Sequence, residues 1–166
     1  YSAVRMNLAN GSSMWFILPD EGKTVDDVLQ HGEYMAMITG SNGFSRENQK
    51  HLKVNLSVPK FDIASSVDLK PALKEMGLKK IFEPYGNDFS TSVASELPVF
   101  LNSINQDTRV TIDEDGVTAA SYIILDFGAG SGPPPDEVID FVLDRPFLFA
   151  IESQSIPLFI GTVNNP

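Results

Sequence analysis

The amino-acid sequence predicts a mixed α+β fold in which strands outnumber helices. Two patterns carry that expectation. From Leu52 to Val58 apolar and polar residues alternate, which is the period of a strand with one buried face. The helical segments do not alternate regularly with the strands, as a parallel βαβ sheet would require.

The elements follow in chain order. Ser13-Met14-Trp15-Phe16-Ile17-Leu18 lies between Gly11 and Pro19-Asp20, and its apolar run suits a strand buried on both faces. Thr24 to His31 reads as a short surface helix: Thr24 and Asp27 have capping-box spacing, and Val25, Val28 and Leu29 share one face. In the next strand Leu52, Val54, Leu56 and Val58 alternate with Lys53, Asn55 and Ser57, and Phe61 and Ile63 continue the pattern past Pro59. A second helix is expected from about Asp68, with Leu69, Leu73 and Met76 on one stripe, Pro71 in its first turn and Gly77 at its stop. Leu97 to Leu101 and Val110 to Ile112 are further strand candidates. Phe147 to Ile151 and Leu158 to Val163 form a last pair around the turn-like Glu152-Ser153-Gln154-Ser155. No repeat with a period of tens of residues is present.

With 166 residues, 42% hydrophobic and 20% charged, the composition fits one globular domain with its own core. Twelve basic against 22 acidic residues leave a net charge of −10, which argues against broad nucleic-acid or anionic-membrane binding. The absence of cysteine excludes disulfides, thiolate metal sites and cysteine nucleophiles, and leaves the redox compartment open. Apolar runs such as Phe147 to Ile151 fall far short of the roughly 20 residues of a membrane span, so a soluble chain is expected. Tyr1 leads directly into fold-like sequence, without the charged and apolar regions of a signal peptide.

Residues 113 to 135 stand apart. Asp113-Glu114-Asp115-Gly116 is followed by Val117 to Phe127, then Gly128-Ala129-Gly130-Ser131-Gly132 and Pro133-Pro134-Pro135. As a strand, the middle stretch would place Val117, Ala119, Ser121, Ile123, Leu125 and Phe127 on one uncharged face, small near Gly116. Yet it runs into a flexible glycine segment and a stiff proline segment, which have the composition of exposed chain. Pattern alone is equally met by an edge strand followed by a linker.

Other chemical signals are weak. His31 and His51 lie in unrelated elements without a sequence-near Ser or Asp partner, so they read as surface or core-edge residues. The glycine segment is followed by prolines and not by a helix N-terminus, which rules out a phosphate cradle. Asp113-Glu114-Asp115 lacks calcium-loop spacing and reads as a solvated acidic turn. Asn10-Gly11-Ser12 and Asn55-Leu56-Ser57 match the glycosylation sequon by letter. Nothing assembles an enzyme active site, no cofactor is called for, and no basic cluster points to a polyanion activator.

Six collinear blocks together resemble the serpins, protease inhibitors that trap their target by inserting a cleaved loop into a β-sheet. They are Trp15 to Glu21, Val54 to Ile63, Asp68-Leu69-Lys70 with Leu73 to Leu78, Ile112 to Gly116 with Ala119-Ala120, Asp144 to Phe149, and Pro157 to Gly161 closing on Asn165-Pro166. The resemblance implies the serpin fold, an α+β arrangement of mixed helices and three β-sheets. It implies that residues 1–166 are the carboxy-terminal part of a single serpin domain, with 116–135 as the reactive-centre loop. A complete serpin is more than twice this length, so a fragment of a longer inhibitor is expected, with the remainder of the serpin chain as its partner.

The resemblance also implies a function. It makes the protein not an enzyme but a suicide substrate of serine proteases. The family's spacing, counted from Gly116, puts the reactive bond at Gly130–Ser131. Gly130 or Ala129 at the cleaved bond would suit an elastase-like protease with a shallow pocket, and Phe127 a chymotrypsin- or subtilisin-like one. The hinge falls on Glu114, Gly116, Val117, Thr118, Ala119, Ala120 and Ser121. The family's inhibitory pattern is Gly-Thr-Glu followed by alanines and a threonine, and Val117-Thr118 departs from it. Val117, Ala119 and Ser121 on the inward face nevertheless remain small and uncharged, Tyr122 falls outward, and residues 117 to 125 contain no proline or charge. An extracellular or cell-surface location, no membrane span and a loop-sheet oligomer complete the expectations. The alternative is a non-inhibitory serpin-fold carrier whose loop is only a protease substrate.

Overall fold

A computed structural model describes residues 1–41, 50, 52–85, 89, 97–113, 116–117 and 135–166. Strands β1 (Ser2–Asn7) and β2 (Ser13–Leu18) precede helices α1 (Val25–His31) and α2 (Glu33–Ile38). Strands β3 (Leu52–Ser57) and β4 (Phe61–Asp68) lead to α3 (Lys70–Glu75) and a 3-10 turn at Lys80–Phe82. The remainder is β5 (Asn105–Asp113), β6 (Gly116–Val117), β7 (Glu137–Val142), β8 (Phe147–Ser153) and β9 (Ile156–Val163). The strands form three sheets, ordered β1-β2-β8-β9, β3-β7 and β4-β5-β6. Two compact units result, one of residues 1–62 and 110–166 and one of residues 63–109.

In the first unit the core lies on both sides of the four-stranded sheet. All of β2 and all of β8 up to Glu152 are buried. Phe16 opposes Phe149 on one face, while Trp15 opposes Ala150 and Ile17 opposes Leu148 on the other. That second face packs against Val25 and Val28 of α1 and Ile38 of α2. A period-two strand can be apolar at every position only when something covers both faces, which explains the unbroken run.

The start of α1 follows the sequence expectation. Thr24 is the N-cap, its Oγ1 accepts from Asp27 N at 3.2 Å, and the Asp27 carboxylate accepts from Thr24 N at 2.8 Å. These bonds to the charged form hold the Asp27 carboxyl below its usual range. Gly32, at φ 67°, ends the helix in the left-handed conformation that glycine adopts without cost. Leu29, expected on the buried face, is exposed.

Several expectations need correction. Leu97 to Leu101 is not a strand: Leu97 is 76% exposed, and the segment is irregular until β5 begins at Asn105. β5 is correspondingly longer than Val110 to Ile112. The strand from Leu52 exists, but Leu52 and Val54 are 40% and 39% exposed, so its apolar side is only partly covered. The second helix starts at Lys70, because Asp68 closes β4 and its Oδ1 accepts from Lys70 N at 2.9 Å. Met76, placed on its apolar stripe, is 79% exposed. Glu152 and Ser153 belong to β8, and only Gln154 and Ser155 make the turn, both at positive φ. That conformation matches the twist of a two-residue hairpin. β1, α2 and β7 lack a strong apolar pattern and were not anticipated.

In the second unit Phe82 is the buried aromatic residue. The ammonium groups of Lys70 and Lys74 lie 5.5 and 5.9 Å from its ring centroid. Lys70 Nζ also donates to Asn102 O at 2.7 Å, and Leu69 N donates to Ile104 O at 2.9 Å.

Candidate functional site

The site expected from the sequence is the stretch that leaves β5. Burial alternates at the end of that strand, with Val110 and Ile112 buried and Thr111 and Asp113 half-buried. Thr111 donates its hydroxyl to Asp62 Oδ1 on β4 at 3.1 Å. On the far side of β5 the chain runs back antiparallel to it, with Asp113 opposite Gly116 and Ile112 opposite Val117. β6 covers only these last two positions of the nine-residue β5. From Asn105 to Thr111 no other described strand continues along that side.

Of the hinge residues, Gly116 and Val117 form β6. Glu114, Thr118, Ala119, Ala120 and Ser121 lie outside the described residues, as do Phe127, Ala129, Gly130 and Ser131 of the reactive region. His51 also lies outside them, and His31 is exposed in the last turn of α1. No group of three or more potential metal ligands occurs among the described residues.

Behind the β4-β5 pair, four aromatic rings connect two sheets. Phe61 opens β4, and its ring centroid lies 6.0 Å from Phe147 and 5.2 Å from Phe149. Phe147 meets Phe16 edge-on at 6.2 Å. Gly161 stands opposite Phe149 on β9, where an added Cβ would fall 2.7 Å from Phe149 Cζ. Glycine is required there by the close approach of the ring.

The residues beyond the loop are held by β7, which pairs in parallel with β3 from Leu52 opposite Glu137 to Ser57 opposite Val142. Lys50 Nζ contacts Glu137 Oε2 at 3.1 Å, and Asn55 Nδ2 donates to Asp140 Oδ1 at 2.8 Å. Arg145 then donates through Nε and Nη2 to Pro19 O at 3.2 and 3.1 Å. This arginine joins two blocks singled out in the sequence, Trp15 to Glu21 and Asp144 to Phe149. The anchoring pairs Lys50–Glu137 and Asn55–Asp140 gave no sequence signal, since each joins segments far apart in the chain.

A profile of the family described as Serpin (serine protease inhibitor) matches residues 1–166. The chain belongs to the serpin family. An alpha-1-antitrypsin-like protein of Ictidomys tridecemlineatus is 33% identical over 165 residues, which are 98% of this chain and 37% of that protein. Glia-derived nexin of Mus musculus is 34% identical over 116 residues, covering 69% of this chain and 28% of the relative. Among solved structures, the native state of the thermophilic serpin tengpin superposes with a TM-score of 0.69 at 25% identity, over 99% of this chain and 42% of tengpin. A serpin from the trematode Schistosoma haematobium reaches 0.73 at 24% identity, over 99% and 41%, a likeness of fold alone. The serpin fold expected from the sequence is therefore present, with its described strands in three sheets. The serpin chain spans 37% of the length of its first curated relatives.

Proposed function

We propose that residues 1–166 are the carboxy-terminal part of a single serpin domain that inhibits serine proteases as a suicide substrate, with residues 116–135 as the reactive-centre loop. The observation that carries this reading is the register of β6 on β5. Ile112 opposes Val117, so an unbroken register would lay residues 118 to 124 beside residues 111 to 105. Opposed residues of an antiparallel pair share a face. In the inserted state Val117, Ala119 and Ser121 would therefore join the face of Ile112, Val110 and Thr108, the face on which Val110 and Ile112 are buried. Small uncharged residues enter that layer at little cost, and each new ladder bond stabilises the product by about 0.5–1.5 kcal/mol. Strand addition of this kind is the serpin family's own mechanism.

Cleavage at Gly130–Ser131 leaves the protease acylated on Gly130 through its own serine. The stretch from Val117 to Gly130, fully extended, reaches roughly 45 Å, enough to carry the bound protease along the whole of β5 and beyond. Gly130 or Ala129 directs the inhibitor toward an elastase-like target, and Phe127 toward a chymotrypsin- or subtilisin-like one. The family description and the inhibitors among its members support an extracellular or cell-surface location, where such proteases act.

The test is incubation of the full-length protein with a panel of serine proteases. A detergent-stable complex and a new amino terminus at Ser131 are expected, and cleavage without any complex would overturn the inhibitory reading. Val117→Arg would bury an unpaired charge in the inserted state and should convert inhibitor to substrate, with complex yield falling at least tenfold. Undiminished trapping by that variant would refute insertion in this register. The departure of Val117-Thr118 from the family's inhibitory pattern favours one second reading, a non-inhibitory serpin-fold carrier. Its signature is a nicked loop with neither complex nor a rise in melting temperature.

A further inference from the structure

We propose that Asn10 is an N-glycosylation site and that the second sequon asparagine, Asn55, is not. The proposal rests on the extracellular reading above only for the chain's route through a secretory compartment.

The two sequons have the same letters and opposite surroundings. Asn10 lies in the turn that joins β1 to β2, with Ala9, Asn10 and Gly11 all exposed. The turn is closed by Leu8 N–H donating to Ser12 O at 2.8 Å and Gly11 N–H donating to Leu8 O at 3.0 Å. Gly11 takes a φ of 82°, which a side chain would oppose. Asn10 Oδ1 accepts from Ser12 N at 3.0 Å and also from Ser12 Oγ. This local ring holds the amide and the sequon hydroxyl together through Oδ1 and engages Nδ2 in no hydrogen bond among the described residues. The atom that would receive a sugar therefore stands at the tip of a hairpin, on the side of the edge strand β1.

Asn55 sits in the middle of β3, opposite Asp140 in the parallel ladder with β7. Its Nδ2 donates to Asp140 Oδ1 at 2.8 Å. A sugar on that nitrogen would compete with this bond and crowd the neighbouring strand. In the reaction, Asn10 Nδ2 forms a bond to C1 of an oligosaccharide carried as a lipid diphosphate. The C1–O bond to the diphosphate breaks, its electron pair leaves with the diphosphate, and one Nδ2 proton passes to a base of the transferase.

The full-length protein would be made behind a cleavable leader, both in a microsome translation and in a secreting eukaryotic host. Glycan release by an amidase in heavy-oxygen water then marks each occupied asparagine by mass. The expected result is a marked position 10, an unmarked position 55, and loss of one glycan step in Asn10→Gln but none in Asn55→Gln. An unmarked position 10 in both systems, or a marked position 55, would overturn the proposal. Export of the natural protein without an added leader tests the location separately: its retention in the cell, with Asn10 marked in microsomes, would sink the location and uphold the acceptor.

Discussion

β2 and β8 share one sheet and bury nearly every residue, whereas β3 and β7 form a two-stranded ladder that exposes most of theirs. All four contain apolar residues, so composition does not explain the contrast. Coverage does. The β2-β8 pair has α1 and α2 on one face and the aromatic cluster on the other. The β3-β7 pair is joined by ladder bonds, one ion pair and one side-chain hydrogen bond, with Val138 56% exposed. Elements with few buried contacts open at lower free energy than core strands. The reactive loop of the serpin reading thus ends on the lightly held pair, while the dense sheet supplies a body that stays fixed.

The contrast can be broken by mutation, and the largest effect is expected at Phe149. It is 2% exposed, and Phe149→Ala should cost about 3–5 kcal/mol in denaturant unfolding of the full-length protein. A loss below ~1 kcal/mol would show that the dense sheet is not the stabilising body. Gly161→Ala comes next: the new Cβ would strike the Phe149 ring, which Phe61 backs on another side, for a cost of about 1–3 kcal/mol by the same measurement. Thr24→Ala removes the cap of α1 and should cost about 1 kcal/mol.

The same cap has a pH signature. The folded Asp27 carboxyl lies below its ordinary value, so its contribution is complete above the unfolded pKa of about 3.9 and is lost as pH falls through the lower folded value. The difference in urea midpoint between the natural protein and Asp27→Asn should therefore be present at neutral pH and shrink below about pH 4. A difference that persists in acid would mean the carboxylate is not its source. The smallest effect is expected on the lightly held pair, where Val138→Ala should stay within about 0.5 kcal/mol.

The legible parts of the sequence are those whose pattern is set by local geometry. Thr24 and Asp27 announced the cap because capping depends on a three-residue spacing, and Met14 to Leu18 announced a covered strand because no polar residue interrupts them. Leu97 to Leu101 misled because apolar composition cannot tell a paired strand from an irregular segment; the pairing partner decides. β1 was missed because Ser2, Arg5 and Asn7 break its apolar alternation, and its place is fixed by β2 across the hairpin. At the candidate site, the acidic turn and the small residues after Gly116 were readable, whereas the register that aligns Val117 with Ile112 was not, since register depends on two segments at once.

Phe61 carries a consequence for how this molecule could feel a change in its loop. The ring belongs to the strand beside β5, yet its neighbours Phe147 and Phe149 belong to a different sheet. One side chain thus acts as a shared bearing: a shift of β4 sideways must either drag those rings or slip past them. Rigid aromatic contacts of this kind resist gradual sliding and favour abrupt exchange between two seatings.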